Sequence, residues 1–171
     1  MTARFDAIAE SWAAFFEAEQ DGLTAYATAL VGSIEDARDL IQDVMVRLVS
    51  ERRSVESARV YVLRCLRNGA IDRIRRRRRE GREATLLAGA EFIDTTAAVV
   101  ELRETAERVR QALAELTSAQ REVIVLRMYA GRTLRESAEI LDQPMGTVAS
   151  HYARGIEKLR SLLSKELNHE A

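Results

Sequence analysis

The segment TLRESAEILDQPMGTVASHYARGIEKLRSLL (133–163) contains the clearest structural pattern in the chain. Residues 134–141 space their apolar side chains as on a short amphipathic helix, and a longer helix of the same kind follows from about 144–146. The polar turn Asp142–Gln143–Pro144 separates the two. Thr133 and Glu136 have the three-residue spacing of a capping box, which predicts where the first helix begins. Two helices joined by a tight turn predict a helix-turn-helix.

The second helix of this motif has a polar side suited to duplex DNA. Val148 and Tyr152 belong to its apolar side, so the polar residues that recur every three or four positions on the other side face outward. Small polar groups near the helix start can enter a major groove, and cations further along can hold phosphates. The predicted duplex-binding residues are Thr147, Ser150, His151, Arg154 and Lys158. Taken alone, the pattern is equally typical of an ordinary helical hairpin with a solvated face.

Helical periodicity continues upstream. Apolar spacing predicts helices over about 15–31, over 34–50 with Ser33 as its cap, and from near Glu56 into the arginine block 75–79. A second capping box, Thr117 to Gln120, opens a helix before the helix-turn-helix. The expected fold is therefore all-α.

Residues 83–98 lack a sustained apolar stripe and divide this helical pattern. They are short and contain no proline, which indicates a flexible linker. We therefore predict an N-terminal helical bundle over 1–82, the linker over 83–98, and a C-terminal helix-turn-helix bundle over 99–171.

Composition excludes several classes of protein. The 171 residues include 47% hydrophobic and 31% charged side chains, but only 8 Gly and 1 Pro, which argues against an all-β fold. With Cys65 as the only cysteine and two histidines, neither a disulfide framework nor a metal site is expected, and we predict no cofactor. The chain has no apolar run near the roughly 20 residues of a membrane helix, so a cytoplasmic protein is expected.

Charge is segregated along the chain. Residues 1–50 carry a net charge of −6, whereas residues 51–82 hold 12 basic and 4 acidic residues, a net charge of +8. An aromatic ring, an amide and several guanidinium groups lie along one side of the third predicted helix, an arrangement that suits single-stranded nucleic acid. These predicted strand-binding residues are Tyr61, Arg64, Asn68, Asp72, Arg75, Arg76 and Arg79. The alternative is a solvated charged surface in which Asp72 pairs with Arg75 or Arg76.

The acidic residues of the second predicted helix allow two interpretations. Glu35, Asp36, Asp39 and Asp43 lie near its N-terminal half, where the helix dipole favours negative charge, so capping alone could explain them. A protein-binding surface is the other interpretation. The chain has no P-loop, no G-x-G-x-x-G and no G-x-S-x-G, and no nucleophile–base pair is visible, so we do not expect an enzyme.

Three segments together resemble extracytoplasmic-function (ECF) sigma factors of the sigma-70 class. They are DARDLIQDVMVRLV (36–49), ARVYVLRCLRNGAIDRIRRRRR (58–79) and LTSAQREVIVLRMYAGRTLRESAEILDQPMGTVASHYARGIEKLRSLL (116–163). The resemblance implies a non-catalytic subunit that directs bacterial core RNA polymerase to promoters. It implies −10 melting and strand capture by the first domain, −35 reading by the last domain, and control by an anti-sigma factor. The clamp helices of the largest polymerase subunit would contact the positions that match Asp39, Gln42 and Asp43.

The chain departs from the family pattern in its last domain. Ala149 and His151 stand where basic residues are common, and Asp142 stands where the turn often has glycine. Weaker phosphate contact or an unusual −35 preference is the expected consequence. Two alternatives to a sigma factor remain, namely a free-standing helix-turn-helix regulator and a sigma-like adaptor that only binds proteins.

Overall fold

The computed structural model describes residues 2–51, 58–81, 108–109 and 111–167, with side chains over 11–51, 58–81, 108–109 and 111–164. Within these ranges the regular structure is helical, as the sequence predicts. The helices are α1 (Thr2–Val31), α2 (Ile34–Ser50), α3 (Ala58–Arg79), α4 (Ser118–Met128), α5 (Leu134–Leu141) and α6 (Met145–Leu167). The predicted linker 83–98 and the predicted helix start at Val99 lie outside the described residues.

The first helix begins earlier than the sequence pattern predicted. It starts at Thr2 rather than near Phe15, and the apolar side continues upstream to at least Trp12. Trp12 is buried and its ring meets Phe15 edge-on at 5.8 Å between centroids. Burying an aromatic cluster of this kind stabilises the helix around Trp12, upstream of the predicted start.

Local signals fix the ends of the first helices. Gly32, with φ of 83°, lets the chain turn after α1. The hydroxyl of Ser33 then accepts a hydrogen bond from the Asp36 backbone N–H at 3.3 Å, which confirms the predicted cap of α2. The helices α1, α2 and α3 bury a common core that includes Leu30, Leu48 and Leu66.

Both predicted capping boxes are present. The side chains and backbone N–H groups of Thr117 and Gln120 bond each other reciprocally, and those of Thr133 and Glu136 do the same. The turn between α5 and α6 contains Asp142 with φ of 53°, the left-handed region that favours glycine. The helix-turn-helix is therefore formed as predicted, with a non-glycine residue at its strained position.

The N-terminal and C-terminal helices share one core. Val123, Val125 and Leu126 of α4 belong to the same cluster as Tyr26 of α1 and Leu66 of α3. A smaller cluster, which includes Leu116, Ile124 and Leu159, joins α4 to α6. Contacts between α1 and α4 and between α3 and α5 complete the packing. The sequence pattern did not indicate this direct packing, and the boundaries 1–82, 83–98 and 99–171 stay predictions.

Candidate nucleic-acid and polymerase interfaces

The polar side of α3 carries the seven predicted strand-binding residues. Asn68, Asp72 and Arg75 are spaced four and three residues apart, so they share one side of the helix, and all three are exposed. Arg64, Arg76 and Arg79 are exposed as well. Tyr61 is half-buried, with part of its ring packed against the core, because it lies at the edge of the apolar stripe. The structure thus places the seven residues on one helix, six of them exposed to solvent.

Two of these residues form the ion pair that the alternative interpretation expected. Arg75 Nη1 lies 3.8 Å from Asp72 Oδ1, and the two side chains are 72% and 77% exposed. An ion pair in water contributes at most about 1 kcal/mol. A phosphate group can therefore replace Asp72 as the partner of Arg75 at little cost.

Arg64 has an internal partner that the sequence pattern did not reveal. Its guanidinium donates a hydrogen bond to the backbone carbonyl oxygen of Glu139 in α5. One turn further along α3, Arg67 Nε lies 2.5 Å from Glu122 Oε1 of α4, and Arg67 Nη2 lies 3.3 Å from Oε2. Desolvation acts to lower the pKa of Arg67, but the hydrogen bond and charge of Glu122 raise it above its usual value. The start of α3 is therefore bound to the C-terminal helices.

The predicted polymerase-binding surface lies on α2. Asp39 and Gln42 are exposed, and Asp43 is exposed but paired with Arg73 of α3. Arg73 also donates to the backbone oxygen of Asp36 at 2.9 Å. Sequence reasoning missed Arg73, although its position beside the core residues Ala70 and Ile74 indicated that it faces a neighbouring helix.

A second ion pair joins the same two helices. Arg77 Nη2 lies 2.5 Å from Asp36 Oδ2, one turn beyond Arg73. The arginine block therefore has two sides, because Arg77 faces α2 while Arg75 and Arg79 face solvent. The acidic residues of α2 do more than cap their own helix, since they position α3.

A surface cavity of about 460 Å³ lies between α2 and α3. Its lining contains both apolar and charged residues. The apolar lining residues are Leu40, Val44, Cys65 and Gly69, and the charged ones are Asp43, Arg47, Asp72, Arg73, Arg76 and Arg79. Cys65 is buried and belongs to the core cluster. The cavity connects the predicted polymerase surface to the predicted strand-binding surface.

The second DNA surface is the outward side of α6. Thr147, Ser150 and Arg154 are exposed, and His151 is half-buried. Lys158 is exposed and donates a hydrogen bond to the backbone oxygen of Glu115. The opposite side is anchored by Val148, which is fully buried. The five predicted duplex-binding residues thus lie together along one helix.

Interactions behind α6 hold it against its neighbours. The guanidinium of Arg127 lies 5.7 Å from the ring centroid of Tyr152, within cation–π range. Arg132 is buried, donates to the backbone oxygen of Ala130, and its Nη1 lies 3.3 Å from Glu136 Oε1. Desolvation lowers the pKa of Arg132, an effect that the charge of Glu136 opposes. Arg127 therefore joins α4 to α6, and Arg132 joins the segment after α4 to α5.

The part of the chain that the structure describes contains neither a cluster of metal ligands nor a membrane-spanning helix. No three His, Cys, Asp or Glu side chains there come close enough to hold a metal ion. None of the described helices is long and apolar enough to cross a bilayer.

Comparison with known families agrees with this geometry. Sigma-70 region 2 matches residues 15–80, which contain α2 and α3, and Sigma-70 region 4 matches residues 112–161, which contain the helix-turn-helix. The ECF RNA polymerase sigma factor SigW of Bacillus subtilis (strain 168) is 30% identical over 148 residues. That alignment covers 78% of this chain and 79% of SigW. The chain belongs to the ECF sigma factors.

Further matches are also consistent with this assignment. The RNA polymerase sigma-E factor of Streptomyces coelicolor is 28% identical over 161 residues, with 92% of this chain and 89% of the relative covered. Among solved structures, the sigma factor RpoE in complex with the anti-sigma factor NepR from Bartonella quintana has a TM-score of 0.71 at 23% identity. It covers 91% of this chain and 98% of RpoE. CnrH, in complex with the cytosolic domain of CnrY, has a TM-score of 0.67 at 20% identity and covers 95% and 96%. The protein is therefore an RNA polymerase sigma factor with the fold of these relatives.

Proposed function

We propose that this sigma factor opens promoters with α3 and reads them with α6 while α2 holds core RNA polymerase. In this division, Asn68 and the arginines of α3 bind one strand of the −10 element. Thr147, Ser150, His151, Arg154 and Lys158 bind the −35 duplex, and Asp39, Gln42 and Asp43 bind the clamp helices of the largest subunit. The observation that carries the proposal is that two separate helices expose polar, cationic sides in one sigma factor.

The free-energy cost of extruding a base is similar to the free energy that stacking returns. Extruding a base costs a few kcal/mol. Stacking returns about 1–3 kcal/mol per base, and Arg75, Arg76 and Arg79 add contacts to phosphates. A captured base therefore roughly offsets its own opening, so promoter opening needs the other contacts of the complex.

Tethering to polymerase supplies the remaining affinity. Two weak DNA-binding surfaces carried by one complex benefit from a high effective concentration. We therefore expect the isolated chain to bind promoter DNA poorly. A free-standing helix-turn-helix regulator binds duplex sites by itself and has no use for the region 2 helices, so their presence favours the sigma factor over that alternative.

The proposed partners follow from the same division. They are bacterial core RNA polymerase, promoter DNA and an anti-sigma factor, the last because RpoE and CnrH were solved with NepR and with the cytosolic domain of CnrY. The protein would act in the cytoplasm without catalysing a reaction or binding a cofactor.

Run-off transcription with purified core polymerase and a promoter library tests the proposal. Transcripts that depend on the added chain, and that share −10 and −35 elements, are expected. Asn68→Ala should lower promoter opening about tenfold, within the range for loss of one base contact. The matched control is Gln20→Ala, which truncates an exposed amide on α1. Equal activity of the two variants would remove Asn68 from the site, and a protein that recovers no core polymerase would refute the proposal.

A further inference from the structure

The first turns of α6 hold the residues that a major groove would meet first. In a helix-turn-helix, the N-terminal residues of the second helix contact the base edges. Residues 145–153 contain no arginine, lysine, aspartate, glutamate, asparagine or glutamine. Arg154 is the first charged residue of the helix. This end of α6 must therefore read bases through hydroxyl groups, one imidazole and apolar side chains.

The missing residue types restrict what this end of α6 can recognise. Arginine or lysine pairs with guanine, asparagine or glutamine with adenine, and aspartate or glutamate with cytosine. The hydroxyls of serine and threonine bond to more than one base, so they discriminate weakly. The imidazole of His151 lies at the edge of the surface, since it is half-buried. The distinctive group that remains is the 5-methyl group of thymine, which apolar side chains contact.

Met145 is the apolar side chain in position for this contact. It is the first residue of α6 and is 54% exposed, whereas Val148 is fully buried and Ala149 is short and half-buried. A single exposed apolar side chain is common on protein surfaces, so its location decides what it means. Met145 lies in the same turn as Thr147 and just over one turn before Ser150, two of the proposed duplex-binding residues.

Helix geometry places Met145 within reach of the same DNA element as Ser150. The two residues are five positions apart, which corresponds to about 7.5 Å along the helix axis. Successive bases of a strand are about 3.4 Å apart along the duplex. A thymine that Met145 contacts therefore lies within about two base pairs of the base that Ser150 meets. The three rotatable bonds of methionine let its thioether follow the position of the methyl group.

Gly146 leaves room for a base pair beside Met145. A Cβ atom added to Gly146 would have no other part of the described structure within 4 Å, and its φ is not positive. Neither packing nor backbone conformation therefore requires glycine here, although glycine fits a helix less well than alanine. A glycine at such a position lets the backbone approach a ligand closely. Gly146 supports a first turn of α6 that lies directly against base edges.

We infer that Met145 reads the 5-methyl group of a thymine in the −35 element, with Gly146 giving the base pair access to the first turn of α6. The inference rests on the proposed duplex-reading role of α6. It predicts an A·T pair at the end of the element that Met145 contacts, because the residue types that pair with guanine and cytosine are missing there.

Replacing thymine by uracil tests the contact, because the two bases differ only in the 5-methyl group. Holoenzyme is reconstituted from the chain and bacterial core polymerase, and a promoter is selected from a library. Each thymine of its −35 element, on either strand, is then replaced by deoxyuridine, and binding is measured at one salt concentration. One replacement should weaken wild-type binding about fourfold, the factor that corresponds to removing one buried methyl group.

Variants at Met145 assign that effect to one side chain. Met145→Ala removes the contact, so the thymine and deoxyuridine promoters should bind this variant equally well at the sensitive position. Met145→Leu keeps an apolar side chain and should keep the discrimination. Met128→Ala is the matched control, because Met128 is 62% exposed at the end of α4 and its truncation should leave the discrimination unchanged.

Three results would overturn the inference. The first is a −35 element in which no thymine is sensitive to the replacement. The second is the same fourfold loss for Met145→Ala as for the wild type. The third is a Met145→Ala variant that recovers less core polymerase yet keeps the discrimination, since Met145 would then contact a protein. Failure of the proposed duplex-reading role shows separately, as −35-dependent transcription that Arg154→Ala leaves unchanged.

Discussion

The two proposed DNA-binding helices, α3 and α6, are positioned in different ways. Arginines of α3 pair with carboxylates of three other helices, through Arg59 with Glu19, Arg67 with Glu122, Arg73 with Asp43 and Arg77 with Asp36. The outward side of α6 instead exposes Thr147, Ser150 and Arg154, while its opposite side is anchored by apolar contacts. Both helices bury an apolar side, and the proposed strand-binding helix α3 is in addition joined to its neighbours by these four ion pairs. Changes in charge should consequently affect α3 more than α6.

The largest expected effect on stability comes from the apolar contacts that underlie the charges of α3. Leu66 is fully buried in the core shared by both halves, so Leu66→Ala should lower the free energy of unfolding by about 3 kcal/mol. Urea denaturation would measure the change. Val46→Ala is the control, because Val46 is 63% exposed and its truncation should shift stability by less than about 0.5 kcal/mol. Similar losses for both variants would contradict the shared core.

Removal of a cation from α6 should change DNA binding without changing stability. Arg154→Ala should reduce −35-dependent transcription about tenfold and lower the salt slope of promoter binding by about one, as expected for a lost phosphate contact. Arg160→Ala, a second exposed arginine on α6, provides the comparison. If Arg154→Ala retains wild-type activity and salt dependence, α6 does not read the duplex through this side.

A substitution in the strained turn before α6 should raise the free energy of unfolding. Asp142 has φ of 53°, a conformation that glycine adopts without steric cost. Asp142→Gly should raise the free energy of unfolding by about 1 kcal/mol, since the left-handed conformation costs other residues about that much. Thermal unfolding would detect the shift. Asp142→Ala should give no such gain, and equal stabilisation by both substitutions would show that the backbone conformation is not the cause.

The smallest expected effect is a pH dependence at the start of α5. Hydrogen bonds from the backbone and hydroxyl of Thr133 lower the pKa of Glu136. The carboxylate therefore contributes stability at pH values above its unfolded pKa, near 4.5, and this contribution is lost as the pH falls through the lowered folded value. Unfolding measured from pH 6 to pH 3 should show a shallower acid decline for Glu136→Gln than for the wild type. Parallel curves would mean that the capping box is not a source of acid sensitivity.

The features that could be predicted from the sequence are those formed by residues close together along the chain. The caps at Ser33, Thr117 and Thr133 each act within three residues, and all three are confirmed. The left-handed turn falls on Asp142, where the sequence analysis noted the missing glycine.

Contacts between distant residues could not be predicted in the same way. Arg67 and Glu122 are 55 positions apart, and Arg64 reaches a backbone oxygen 75 positions away. Any residue can supply a backbone oxygen, so the sequence does not indicate which one accepts a hydrogen bond. The sequence also does not distinguish a buried glutamate from an exposed one. The packing of α3 against α4 and α5 therefore became visible only in the structure.

The close contact between α2 and α3 at Gly69 makes the two helices move together. A Cβ atom added at Gly69 would lie 2.7 Å from Leu40 Cδ1, so only hydrogen fits between the helices at this level. Any tilt imposed on α2 must therefore move α3 with it, so the proposed polymerase-binding and strand-binding surfaces keep a fixed mutual geometry.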